Sequence, residues 1–231
     1  MRRILLSTAT ILASVTPALA QTSTPAPIAL PDTIVTATGV PTPLALVPAS
    51  ITVIDRRAIE ENGFANLAEA LATVPGLRIA QSGGPGQQAS VFIRGNSSRS
   101  TLVLLDGVPV NDPSDANGAF NFGNETLFDI ERIEVLRGPA SSLYGSAAVG
   151  GVINLVTRRA PADRQVMPYG EVAGGSQRTL RTGGGVAGTV GAFDYLASLN
   201  NISTQGHNAT ASRFFRTLGE ADGFRGTNAT A

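Results

Sequence analysis

The chain has neither cysteine nor lysine. Without cysteine there can be no disulfide, no thiolate metal site and no cysteine nucleophile. All 17 basic residues are therefore arginine, set against 17 acidic ones, and His207 is the only histidine. That balance gives no electrostatic reason to expect nucleic acid as a partner. One histidine, no G-x-S-x-G elbow and no paired carboxylates leave no catalytic constellation, so the reading is of a non-enzyme without cofactor or metal. Asp112 and Asp115 are too few for a calcium site and read as a polar turn. Long hydrophobic runs are scarce as well. No later stretch approaches the roughly 20 apolar residues of a spanning helix, so passage through a membrane would require a β-barrel.

What is present begins with an address. Met1-Arg2-Arg3, an apolar run from Ile4 to Val15 and Ala18-Leu19-Ala20 spell a secretory signal peptide over residues 1–20. The run is too short for a membrane anchor. Loss of Arg2 and Arg3 leaves 15 basic against 17 acidic residues, a charge of −2 (15 − 17) from Gln21 onward. Residues 21–47 read as a flexible linker, opening with the Pro, Ser and Thr-rich "QTSTPAPIALP". Inside it lies "DTIVTATG" (32–39), a β-branched run with Pro31 before it and Pro41 and Pro43 after it. It reads as an extended segment isolated from any partner strand by the linker and by the loop "PTPLALVP".

Residues 48–159 have the composition of an α+β domain. "ITVID" alternates like a strand, and "RRAIEENG" reads as a short helix stopped by Gly63. In "NLAEALATVPG", Leu67, Ala70, Leu71 and Val74 form one helical face, with Asn66 as N-cap and Glu69 as its capping-box partner. "LRIAQ", "SVFIRG", "TLVLLDGVPV", "RIEVLRG" and "GVINLVT" read as strands, with a tight turn at Asp106-Gly107. Residues 160–231 turn to Gly-rich alternating segments. In "FDYLASLNNIS", Tyr195, Ala197 and Leu199 share one face while Leu196, Ser198 and Asn200 share the other. Barrel strands and a soluble β-sandwich both fit that spacing.

"VFIRG" (91–95), "LVLLDGVPVND" (102–112) and "IERIEVLRGPASSLYGSAAVGGVINLVTR" (130–158) resemble the plug domain of TonB-dependent outer-membrane receptors. Within that family the chain resembles the cobalamin-receptor type, through "SGGPGQQASVFIRG" and the "DG" turn. The resemblance implies an α+β plug, a small mixed β-sheet with short helices, followed by the first three or four antiparallel strands of an incomplete transmembrane β-barrel. It makes Asp32, Thr33, Ile34, Val35, Thr36, Ala37 and Thr38 the TonB box, captured by the periplasmic domain of TonB through strand addition. Arg94 and Arg137 fall on positions that lock the plug to barrel acids beyond this chain. Gln87, Gln88, Asn117, Phe120 and Asn121 become ligand-contact candidates on apical loops, for a cobalamin or a ferric siderophore. Outer-membrane lipid would surround the barrel, and five N-x-[ST] sequons then carry no glycan. The expectation is an N-terminal receptor fragment; the alternative is a free-standing secreted plug-like binding or signalling module.

Overall fold

The computed structural model describes residues 34–47, 50–84, 86–112, 118–161, 164–206 and 223–231. The signal peptide, Asp32, Thr33, Asn117 and His207 lie outside the described residues.

The strands are β1 (Ile34–Val35), β2 (Thr42–Pro43), β3 (Ser50–Asp55), β4 (Leu77–Gln81), β5 (Ala89–Ile93), β6 (Thr101–Leu105) and β7 (Val108–Pro109). They continue with β8 (Ile130–Arg137), β9 (Gly151–Thr157), β10 (Met167–Gly175), β11 (Thr179–Val190), β12 (Phe193–Thr204) and β13 (Phe224–Thr230). Three helices, α1 (Arg56–Asn62), α2 (Leu67–Ala72) and α3 (Ser141–Tyr144), are all short.

Five strands form the central sheet in the order β3-β8-β9-β6-β7, mixed because β6 and β9 run parallel while the other neighbours are antiparallel. β9 is a near-continuous apolar run because both faces of the sheet are covered, and β8 is buried over Ile133–Leu136 for the same reason. On one face Val103, Ile133, Val135 and Ile153 pack with Leu67 and Leu71 of α2 and with Val91 and Ile93 of β5. On the other, Leu102, Leu104, Leu136 and Val152 form a smaller core with Ala140, Ala148 and Ala37. Ala37 belongs to the segment that the sequence sets apart.

The punctuation behaves as the side chains dictate. Asp55 caps α1 by accepting from the Ala58 N–H at 2.8 Å, and Gly63 ends it at φ 64°. Asn66 Oδ1 accepts from the Glu69 N–H at 2.9 Å, while the Glu69 carboxylate reaches back one residue further than expected, to the Ala65 N–H. Asn66→Ala should therefore cost about 1 kcal/mol, read as a lower urea midpoint. Asp106 and Gly107, at φ 49° and 86°, close the β6–β7 hairpin with the handedness that suits twisted strands.

The sandwich alternative is settled by what each face touches. β10-β11-β12-β13 form one antiparallel sheet. Tyr169, Arg181 and Ser198 face the plug, whereas Val172, Leu180, Val186 and Leu199 point away and are exposed. An apolar outward face opposite a polar inward one is the pattern of a barrel wall. Among the described residues no helix is long and apolar enough to cross a membrane.

Candidate functional site

The segment after Ile34 is bound to its own plug. β1 pairs with β2, Ile34 opposite Pro43 and Val35 opposite Thr42. Val35 and Ala37 are fully buried, and Ile34 is half exposed. The expectation of an isolated extended segment is thus corrected: the loop behind it folds back as a hairpin partner. The anchor is Glu134, a charged residue in the middle of β8 with no exposed surface. Its Oε2 accepts from the Thr36 and Ala37 N–H groups, both at 2.7 Å. It also accepts from Thr36 Oγ1 at 3.2 Å and from Asn154 Nδ2 at 3.3 Å. Arg132 Nε donates to Oε1 at 2.8 Å. Asn154 lies opposite Glu134 in the β8–β9 ladder; its Nδ2 also reaches Thr36 Oγ1 at 2.8 Å, and its Oδ1 accepts from the Gly107 N–H. A carboxylate taken wholly out of water needs this many donors. Tyr144 of α3 closes the site; burial first, and then the Glu134 charge, push its phenol above the ordinary value.

The two arginines meet at the Pro75-Gly76 turn. Arg137 Nη1 donates to Pro75 O at 2.7 Å and Nη2 to Thr52 Oγ1 at 2.9 Å. The Arg94 N–H donates to Gly76 O at 2.8 Å, and Arg94 takes the left-handed φ of 50°. Among the described residues neither guanidinium meets a carboxylate, and the buried Arg137 Nε has no acceptor.

A plug arginine does pair with a wall acid elsewhere. Arg56 Nη2 lies 3.8 Å from Glu171 of β10, which is 3.5 Å from Arg181 of β11, and Arg181 donates to Phe64 O at 2.7 Å. Nearby, the plug turn Leu127–Ile130 seats on the wall. Phe128 stacks on Tyr169 with ring centroids 5.2 Å apart, and Arg158 lies over the other part of that clasp, 4.6 Å from the Tyr169 centroid. The sequence holds little sign of this seat, because its partners come from distant strands.

The apical loops are drawn together. Asn121 Oδ1 accepts from the Ala89 and Gly123 N–H groups, and Phe120 packs on the core edge-to-face with Phe122 at 4.9 Å. Those two side chains are engaged in holding the loops. Gln87 and Gln88 are exposed. Sequence reasoning missed Glu134, Asn154 and Asp129; the usable signal for Glu134 was an acid flanked by Ile133 on one side and Val135-Leu136 on the other.

Residues 43–152 match the family model described as the TonB-dependent Receptor Plug Domain. The chain carries the plug domain of the TonB-dependent outer-membrane receptors, with antiparallel strands of a partial barrel behind it. Its curated relatives include the vitamin B12 transporter BtuB of Vibrio vulnificus, 48% identical over 124 residues, covering 54% of this chain and 20% of that one. BtuB of Photobacterium profundum is 34% identical over 199 residues, covering 86% and 32%. Among solved structures, the siderophore receptor PiuA from Acinetobacter baumannii superposes with a TM-score of 0.58 at 29% identity, over 72% of this chain and 22% of that one. The chain thus spans about a fifth to a third of the length of these relatives. The kinship is with outer-membrane proteins.

Proposed function

We propose that the chain is the plug and first barrel strands of a receptor that actively takes up a scarce ligand across the outer membrane, with residues 32–38 as the segment TonB captures. The observation that carries this reading is the Thr36-Ala37 backbone held by a single buried carboxylate. Such an attachment is specific, yet it can be exchanged for strand pairing with another protein at a cost of a few hydrogen bonds. Among the described residues β1 pairs only with β2, over two residues, so few ladder bonds hold it in place. Arg94 and Arg137, with the Arg137 Nε unpaired, are proposed to meet wall carboxylates outside the described residues.

Cobalamin is the favoured ligand, because relatives 34 to 48% identical are named vitamin B12 transporters; ferric siderophores are the second class, on the likeness to PiuA. Gln87, Gln88 and Asn117 would contact the ligand, while Phe120 and Asn121 hold the loops that present them. Isothermal titration of the full-length gene product with cyanocobalamin and with a panel of ferric siderophores decides the class, and binding of neither would sink the uptake reading. For the coupling segment, a peptide of residues 30–42 should bind the periplasmic domain of TonB. Ile34→Pro, which removes a backbone donor and fixes φ, should weaken that binding at least tenfold. Equal binding by both peptides would exclude strand addition.

A further inference from the structure

Asp129, immediately before β8, accepts three hydroxyl hydrogen bonds from the wall. Tyr169 Oη of β10 donates to Oδ1 at 2.8 Å; Ser198 Oγ of β12 and Thr230 Oγ1 of β13 donate to Oδ2 at 2.7 and 3.0 Å. These donors lie on one rung of the sheet. Tyr169 is opposite Gly185, Gly185 opposite Ser198, and Ser198 opposite Thr230. At the one strand of the rung without a hydroxyl, Gly185 leaves the space clear: a Cβ there would collide with the Tyr169 ring and come within 2.9 Å of Ser198.

The turn that presents Asp129 is braced from behind. Arg56 Nη1 donates to Leu127 O at 2.8 Å, Arg158 Nε to Phe128 O at 3.1 Å, and the Arg158 N–H to Asp129 O at 2.8 Å. The carboxylate is therefore held at a fixed point against the wall.

We propose that Asp129 is a register pin: it selects the one alignment of the first four wall strands that places all three hydroxyls on its carboxylate, and above all the alignment of β13. Short hairpins already set β10 against β11 and β11 against β12, since turn length fixes register. Residues 205–223 join β12 to β13, and so long a connection fixes none. Glycines at 183–185 and 188 weaken the packing information within the sheet itself. A slip of one residue turns the Thr230 hydroxyl to the outer face, and a slip of two moves it about 7 Å along the strand. Either slip leaves the carboxylate short of a donor. This role is independent of the ligand and of TonB.

The absence of cysteine makes register directly readable. Leu199 and Ala229 are opposite one another on the outer side, so Leu199→Cys with Ala229→Cys reports the native alignment. Leu199→Cys with Thr227→Cys reports a two-residue slip. After oxidation in detergent micelles, the native cross-link should greatly exceed the slipped one in the parent chain. Asp129→Ala should raise the slipped-to-native ratio at least tenfold, with Asp129→Asn in between. If Asp129→Ala does not fold, Thr230→Val, which removes one hydroxyl at constant shape, must raise the ratio by itself. An unchanged ratio in Asp129→Ala, or in Thr230→Val where the first variant fails to fold, overturns the proposal.

Discussion

Glu134→Ala is expected to destabilise the plug by about 3–5 kcal/mol and to release the segment from Ile34 to Thr38, measured by urea unfolding and by the rate at which protease removes the N-terminal region. The magnitude follows from what stays behind. Arg132 loses its carboxylate at 2.8 Å, Asn154 loses an acceptor, and the Thr36 and Ala37 N–H groups lose the oxygen they share. Glu134→Gln keeps the volume and one acceptor oxygen, so it should cost less than the alanine but still free the segment, because its amide N–H₂ faces donors. A protease rate unchanged in both variants would show that the hairpin with β2, and not the carboxylate, holds the segment.

Gly183→Val is expected to loosen the plug from the wall by about 1–3 kcal/mol, the usual cost of forcing extra volume into a packed site. A Cβ at Gly183 would lie 2.6 Å from Phe128 Cε2, and Phe128 is almost wholly buried between that glycine and Tyr169. The ring must leave, and the Tyr169 clasp under Arg158 opens with it. Trypsin cleavage after Arg158 and Arg159 should then accelerate by roughly 5- to 140-fold, at about tenfold per 1.4 kcal/mol. Gly184→Val is the internal comparison: its Cβ would point into open space on the outer face, so cleavage should stay at the parent rate. Equal acceleration by both substitutions would mean that the strand itself has been damaged.

The family's motif residues were legible because they are local. "GVINLVT" is apolar throughout since β9 is covered on both faces, and Asp106-Gly107 must turn because left-handed φ values there suit those two residues. Asn66 and Gly63 likewise mark helix ends through their own side-chain chemistry. The alternation in β12 grouped the residues by face correctly, and the structure turns Leu196, Ser198 and Asn200 inward and Tyr195, Ala197 and Leu199 outward. It could not say what each face met, so sandwich and barrel stayed open until Phe128 and Asp129 were seen against the inner one.

The site was less legible, since its bonds join residues far apart in the chain. Thr36 reaches Glu134 across 98 residues, and Asp129 reaches Thr230 across 101. No periodicity over a window of ten or so residues carries such a pairing. The sequence alone determined the plug's strands and caps; of "DTIVTATG" it foresaw the strand at Ile34–Val35, but not the turn from Thr36 to Gly39 that follows. Only the tertiary structure decided that this segment is bound at home, because its partner is one acid that three apolar neighbours, Ile133, Val135 and Leu136, carry into the core.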